Sequence, residues 1–152
     1  MRIAIGSDHA GYRLKETIKS SLLDSGHAVE DAGTGSEASV DYPDFAAAVA
    51  RRVVSGAVDR GILICGTGIG MAMAANKVDG ARAASVGDLE SARLSREHND
   101  ANILTLGARI TQPDLALAIV RVFLETPFLG GRHQRRVDKI MALEGSDADV
   151  PQ

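Results

Sequence analysis

The sequence predicts an α/β protein with a three-layer, Rossmann-like (flavodoxin-like) architecture, in which helices cover both faces of a five-stranded parallel sheet. Short apolar runs alternate along the chain with segments whose apolar residues recur at helical spacing. The run Gly61–Cys65 is continuously apolar, which is typical of a strand covered on both faces. Because ligands of such sheets bind beyond the carboxyl ends of the strands, the loops that could form a site follow Gly6, Cys65, Val86 and Leu106.

The elements of this pattern can be assigned in order. The predicted strands are Arg2–Gly6, Ala28–Val29, Gly61–Cys65, Ala81–Val86 and Ile103–Leu106. The first helix carries Leu14, Ile18 and Leu22 at helical spacing and ends before Gly26, and a polar loop from Asp31 to Asp41 follows the second strand. Pro43 marks the start of the second helix, which ends at Gly56, and the third helix is predicted at Met71–Lys77. A cap at Asp88 begins the fourth helix, which ends near His98, and Pro113 begins the fifth, which ends at Glu125. Gly130-Gly131 precede the last helix, which ends near Glu144.

Length and composition exclude several classes of protein. The 152 residues are expected to form one domain, residues 1–144, followed by a polar, flexible tail, residues 145–152. A net charge of −3 and an aromatic content of 3% argue against nucleic-acid binding. The single cysteine, Cys65, excludes an intramolecular disulfide and a multi-cysteine zinc site. The apolar stretch Leu115–Val120 is far too short to span a membrane and no signal-type segment is evident, so we expect a cytoplasmic protein.

A glycine-rich loop follows the third strand, with the sequence Cys65-Gly66-Thr67-Gly68-Ile69-Gly70. Alternate glycines between a strand and a helix expose N–H groups that can hold an anion. The loop lacks the G-x-G-x-x-G spacing of a dinucleotide site and the Gly-Lys-Ser/Thr end of a Walker A loop. It also has Met71 where a cysteine phosphatase needs an arginine. A thiolate at Cys65 would be stabilised by the N–H groups, although a lone cysteine can equally be a small buried core residue.

Three other segments carry polar side chains with alternative interpretations. Asp8 and His9 follow the first strand and would share a sheet edge with Cys65, but Asp8 could simply cap the next helix. His98 ends the fourth helix, where an imidazolium also interacts favourably with the helix dipole. Arg132 and Arg136 lie one turn apart near a helix N-terminus, which is unfavourable for cations unless an anion binds, although a solvated basic face is the alternative.

Together these segments resemble the type B ribose-5-phosphate isomerases, a family that includes galactose-6-phosphate and allose-6-phosphate isomerases. The resemblance extends from Ile3 to about Leu143. It rests on Gly6-Ser7-Asp8-His9-Ala10-Gly11, Asp41-Tyr42-Pro43, Ile64–Gly70, Ala74-Ala75-Asn76-Lys77, Ser95-Arg96-Glu97-His98-Asn99-Asp100 and Gly131-Arg132-His133-Gln134-Arg135-Arg136. Six motifs in this order and spacing make the resemblance specific.

The resemblance implies a role for individual residues. Cys65 matches the catalytic base, His98 matches the residue for sugar-ring opening, and Thr67 belongs to the catalytic loop. The matched substrate-binding residues are Asp8, His9, Tyr42, Gly66, Gly68, Ile69, Gly70 and Asn99. The matched phosphate-binding residues are His9, Arg109, Arg132 and Arg136. One branch of the family has glycine at the cysteine position and glutamate at the position of Met71, which cannot take a proton here, so Cys65 is the base that remains.

The activity that the resemblance implies is the interconversion of ribose 5-phosphate and ribulose 5-phosphate through a cis-enediolate, within the pentose phosphate pathway. The resemblance also implies a homodimer, or a tetramer, whose sites are built from two subunits, with no cofactor and no metal. The chemistry needs a base, donors aimed at the developing oxyanion and a phosphate clamp, which the thiol, the glycine loop and the arginines would supply. The alternatives are a hexose-6-phosphate isomerase and a non-catalytic sugar-phosphate binding module, which would have no use for both Cys65 and His98.

Overall fold

The computed structural model describes residues 1–145 and contains the predicted alternation of strands and helices. The strands are β1 (Arg2–Ser7), β2 (Ala28–Asp31), β3 (Arg60–Cys65), β4 (Ala83–Ser85) and β5 (Ile103–Gly107). The helices are α1 (Tyr12–Asp24), α2 (Tyr42–Val54), α3 (Ile69–Ala75), α4 (Leu89–Asn99), α5 (Pro113–Glu125) and α6 (Arg132–Met141). The predicted α/β fold with a five-stranded parallel sheet is therefore confirmed.

The strand order is β2-β1-β3-β5-β4, and every neighbouring pair is parallel. As predicted, β1 lies beside β3, so the loops after these two strands meet at one edge of the sheet. The last two strands are exchanged relative to the flavodoxin order 2-1-3-4-5, since β5 rather than β4 pairs with β3. This exchange places β5 inside the sheet and leaves β4 as a short edge strand.

Apolar side chains form a core on each face of the sheet. The first core includes residues of α1, α4 and α5 packed against Ile5, Ile64 and Leu106. The second includes residues of α2 and α3 packed against Ala4 and Leu63. Helix α6 does not cover the sheet but packs against α4, which gives it a position on the outside of the helical layer. Two covered faces explain why β3 is apolar from Gly61 to Cys65.

Several predicted boundaries were wrong by a few residues. The fourth strand is shorter than predicted because the N–H groups of Arg82 and Ala83 donate to the side chains of Asn102 and Asn76, not to a neighbouring strand. Helix α3 begins two residues early, directly after Gly68, and α6 ends at Met141 instead of near Glu144. Residues 146–152 of the predicted tail lie outside the described residues.

Candidate active site

A cleft of about 460 Å³ opens at the carboxyl edge of the sheet, where β1, β3 and β5 end. It is lined by Asp8, His9, Ala10, Tyr42, Cys65, Gly66, Thr67, Ile69, Gly70, Met73 and Arg109. Most of the residues that the sequence analysis selected are therefore brought together in one place. They come from the loops after three strands and from the start of α2, which follows from the parallel topology.

Cys65 is the chemical centre of this cleft. Its side chain is 5% exposed, and the N–H of Gly68 donates to its Sγ at 3.1 Å. Gly68 has a φ of 81°, and a Cβ there would lie 2.9 Å from the carbonyl carbon of Leu106, so this position requires glycine. The hydroxyl of Thr105 donates to the carbonyl of Gly68 at 2.8 Å and holds the turn in place. The fold thus aims a backbone donor at the sulfur, where it would stabilise a thiolate.

Two further glycines of the loop make room for large side chains. A Cβ on Gly70 would lie 2.6 Å from the Tyr42 ring, and one on Gly66 would lie 3.0 Å from the Arg109 guanidinium. The N–H of Arg109 also donates to the carbonyl of Gly66 at 3.0 Å. Because these two positions are glycines, the Tyr42 ring and the Arg109 guanidinium can pack directly against the loop backbone.

The segment after β1 fixes the two polar side chains that sequence analysis placed there. Asp8 is 6% exposed and its carboxylate accepts the N–H of Gly11 at 3.1 Å, while Gly11 itself is the N-cap of α1. The Nδ1 of His9 accepts the N–H of Val40 at 3.2 Å, so the proton of the neutral ring is on Nε2. Asp8 therefore braces the turn before α1, and His9 keeps one N–H donor free.

Five predicted residues do not line this cleft: Gly68, which donates to Cys65 from within the loop, and His98, Asn99, Arg132 and Arg136. Helix α4 runs back from the carboxyl edge and ends before β5 begins, so His98 and Asn99 lie at the amino edge of the sheet. The five residues of β5 separate the two edges by about 16 Å. Asn99 instead borders a different cleft of about 660 Å³, together with Lys77 and Arg82. Within one chain, therefore, the residues of the cleft and those at the amino edge of the sheet do not form a single site.

The group at the amino edge is built around two stacked histidines. The rings of His98 and His133 have centroids 4.2 Å apart and an interplanar angle of 12°. His133 is buried, whereas Arg132 and Arg136 are exposed on the same helix. Burial lowers the pKa of His133, and the electrostatic effects of His98, Arg132 and Arg136 lower it further.

The end of α4 is held by ionic contacts to Asp100. This residue is the non-glycine residue with positive φ in the part of the chain that the structure describes, at 45°. Its carboxylate accepts from Arg96 at 2.8 Å and from Arg82 at 3.4 Å. Arg96, which is 3% exposed, also donates to the carbonyl of Ala101. These contacts fix the backbone immediately after His98 and Asn99.

Sequence analysis assigned no role to two residues of these regions. His133 stood inside a quoted motif, but a histidine between arginines carries no periodic signal that marks it as buried. Met73 lines the cleft and is 66% exposed, although its neighbours Met71 and Ala75 are fully buried. The sequence signal that could have identified it is its spacing of two residues from Met71, because residues two apart on a helix do not face the same side.

Within residues 1–145, no group of three or more histidine, cysteine, aspartate or glutamate side chains is arranged to hold a metal ion. In the same part of the chain, no helix has the length and apolarity needed to cross a membrane.

Known proteins are similar to this chain in both sequence and fold. The chain is 48% identical to ribose-5-phosphate isomerase B of Escherichia coli over 143 residues, which cover 94% of this chain and 96% of the relative. The structure of ribose-5-phosphate isomerase B from Clostridium thermocellum matches with a TM-score of 0.94 and 56% identity, covering 95% of this chain and 97% of that one. The Mycoplasma genitalium enzyme, solved with bound ribulose-5-phosphate, matches with a TM-score of 0.91 and 47% identity, covering 94% and 95%. The family model described as Ribose/Galactose Isomerase matches residues 3–140. The resemblance identified from the motifs is confirmed, and the chain belongs to the Ribose/Galactose Isomerase family.

Proposed function

We propose that this protein is a ribose-5-phosphate isomerase, which interconverts ribose 5-phosphate and ribulose 5-phosphate through a cis-enediolate. The observation that carries the proposal is the Cys65 thiol, buried in the cleft with the N–H of Gly68 directed at its sulfur. The names of the similar proteins from Escherichia coli and Clostridium thermocellum agree with this substrate. The same residues could act on a sugar with one more carbon, so the length of the sugar is what an experiment must decide.

Cys65 acts as the base that moves a proton between C2 and C1. Thiolates are suitable for this step because their basicity lies near neutral pH. Met71, at the position where a branch of the family carries a glutamate, has an unreactive side chain that is fully buried in the core. Among the residues that line the cleft, Cys65 is thus the group best suited to carry the proton.

The backbone of the loop from Gly66 to Gly70, with Thr67 in it, holds the enediolate oxygens. The first N–H groups of a helix have no acceptor within the helix, and α3 begins at Ile69, inside this loop. The Thr67 hydroxyl accepts the N–H of Ile69 at 3.3 Å, which leaves its own O–H free to donate. These donors are in place before the substrate binds, as stabilisation of a developing oxyanion requires.

The phosphate is clamped by residues from both groups. In the cleft, His9 offers its Nε2–H and Arg109 its guanidinium, which lies against Gly66. Arg132 and Arg136 offer exposed guanidinium groups one turn apart on α6. Guanidinium groups bind phosphate oxygens through pairs of N–H donors, which explains why cations are placed in the unfavourable first turns of a helix.

A complete site requires two chains, because the cleft and a second set of residues lie at opposite edges of the sheet. We call this second set, at the end of α4 and the start of α6, the α4–α6 group: His98, Asn99, Arg132, His133 and Arg136. We infer a homodimer in which His98 of the partner subunit opens the sugar ring beside Cys65, and Asn99 of the partner subunit binds the substrate. Exposed apolar side chains near both groups support such a pairing. Ile69 and Met73 are exposed beside the cleft, and Leu129 is exposed just before α6.

The direct test is a comparison of initial rates on ribose 5-phosphate, allose 6-phosphate and galactose 6-phosphate under the same conditions. We expect the highest kcat/KM on ribose 5-phosphate. A higher kcat/KM on either hexose phosphate would assign the protein to hexose phosphate isomerisation. Binding of all three sugars without turnover would leave a sugar-phosphate binding module instead of an enzyme.

A further inference from the structure

Helices α4 and α6 meet through the two stacked imidazoles. His98 is the penultimate residue of α4, and His133 is the second residue of α6. Their centroids are 4.2 Å apart and their planes differ by 12°, so the rings overlap face to face. His133 is 7% exposed, whereas His98 is only half-buried. One ring is thus enclosed by protein and forms a platform under the other, which can reach a ligand.

We propose that His133 is a positioning residue for sugar-ring opening, whose buried ring fixes the plane of the His98 imidazole and joins it to the arginines of α6. This inference rests on the proposed function. His133 only orients the His98 ring, because it lies beneath His98 and we assign it no contact with the sugar. A ring held in one plane presents its nitrogens to the sugar oxygens in one direction, which proton transfer requires.

The charges around His133 favour this arrangement. The groups that face it are His98 and Glu97 from α4, and Arg132 and Arg136 from its own helix. Burial and the electrostatic effects of His98, Arg132 and Arg136 lower the pKa of His133, while Glu97 acts in the opposite direction. The lowered pKa disfavours a charged His133 ring, which reduces repulsion within the stack.

The stack also links two parts of the proposed site. Arg132 immediately precedes His133, and Arg136 follows it by three residues, on a helix that packs against α4. The N–H of Leu129, in the loop before α6, donates to the carbonyl of Glu97 at 3.2 Å and adds a second contact between the two segments. Through His133, the phosphate clamp and the ring-opening imidazole therefore keep a fixed separation.

The test compares His133→Ala with His133→Phe in the full-length protein. Alanine removes the platform, and phenylalanine keeps a buried flat ring without ring nitrogens. We expect His133→Ala to reduce kcat for ribose 5-phosphate by at least about tenfold while sparing ribulose 5-phosphate, which arrives as an open chain. His133→Phe should restore most of the lost rate. His27→Ala is the matched control, since it removes a histidine beside the N-terminal amine and should alter neither direction.

Three results would overturn the inference. Equal losses in the two directions for His133→Ala would make the residue structural. A His133→Phe variant as impaired as His133→Ala would show that ring nitrogens, not stacking, matter. An unchanged rate in His133→Ala would remove any role. Wild-type protein and His98→Asn are measured alongside. A wild type that is inactive on ribose 5-phosphate refutes the proposed function itself. If His98→Asn loses rate on ribose 5-phosphate only, whereas His133→Ala does not show this difference between the two substrates, only the inference on His133 is refuted.

Discussion

The cleft at the carboxyl edge and the α4–α6 group at the amino edge are built in different ways. In the cleft, a buried thiol faces a backbone donor, and glycines allow Tyr42 and Arg109 to pack against the loop. In the α4–α6 group, Arg132 and Arg136 near the start of α6 are exposed, whereas His133 between them is buried. The cleft thus contains an enclosed reactive group, whereas the α4–α6 group presents its cations on the surface, and we propose that it works only when it faces another subunit.

This difference separates the reaction into two tasks. Under the proposed function, the proton transfer between C1 and C2 depends on the cleft, and ring opening depends on the α4–α6 group. Phosphate binding is proposed to depend on both, because His9 and Arg109 belong to the first and Arg132 and Arg136 to the second. Substitutions in the two regions should therefore fail in different ways.

The largest effect is expected in the cleft. Cys65→Ala removes the proposed base and no proposed phosphate contact, so isomerisation should fall by at least about a thousandfold while sugar-phosphate binding stays nearly intact. Cys65→Ser should be almost as poor, because a hydroxyl is too weakly acidic to ionise there. The assays are initial rates, equilibrium binding of ribose 5-phosphate and circular dichroism to check the fold.

Deuterium incorporation from solvent provides the decisive control for the cysteine. Exchange into the sugar should disappear together with turnover in Cys65→Ala. Near-wild-type exchange in this variant would mean that another group abstracts the proton, and the assignment of Cys65 would be wrong.

A directional effect is expected in the α4–α6 group. Ribose 5-phosphate is mainly a furanose that must open, whereas ribulose 5-phosphate cannot form a comparable ring because its C5 oxygen carries the phosphate. His98→Asn should therefore cripple turnover of ribose 5-phosphate and spare that of ribulose 5-phosphate, with the released aldehyde trapped chemically. An equal loss of rate in both directions would mean that His98 takes part in the proton transfer or only supports the structure.

A weaker effect is expected from the phosphate clamp. Arg136→Ala should weaken binding of ribose 5-phosphate and of inorganic phosphate by about 1.5–3 kcal/mol, the contribution of a hydrogen bond to a charged group. Unphosphorylated ribose should be turned over as poorly as before. Arg135→Ala, which removes a neighbouring exposed arginine of α6, is the matched control. Loss of phosphate affinity in the control as large as in Arg136→Ala would indicate a diffuse charge effect.

The smallest effect concerns stability. The pKa of His133 is lowered in the folded protein, so below about pH 6.5 the unfolded chain takes up a proton that the folded chain does not. This contribution to the free energy of unfolding is present at neutral pH and is lost as the pH falls. Urea unfolding at pH 7.5 and 5.5 should therefore show a smaller loss of stability in His133→Phe than in the wild type. A loss in the variant equal to or greater than that of the wild type would contradict the burial effect.

Much of the cleft was predictable because each of its motifs directly follows a strand. Parallel strands bring such loops to one edge, so Asp8, His9 and Cys65 were expected to meet, and they do. The exchange of β4 and β5 was not predictable, since apolar strands carry no record of which neighbour they pair with. The stack of His98 on His133 depends on how α6 returns to α4, and no periodic pattern encodes such a contact.

Subunit complementation tests whether the cleft of one subunit works with the α4–α6 group of another, as we propose. Cys65→Ala and His98→Asn variants, each inactive on ribose 5-phosphate, are unfolded together, refolded as a mixture and assayed. In a symmetric dimer each mixed pair contains one site with both Cys65 and His98, so random mixing should restore about a quarter of wild-type activity. A mixture that forms mixed dimers but remains as inactive as its two parents would show that the two residues do not act in a site shared between subunits.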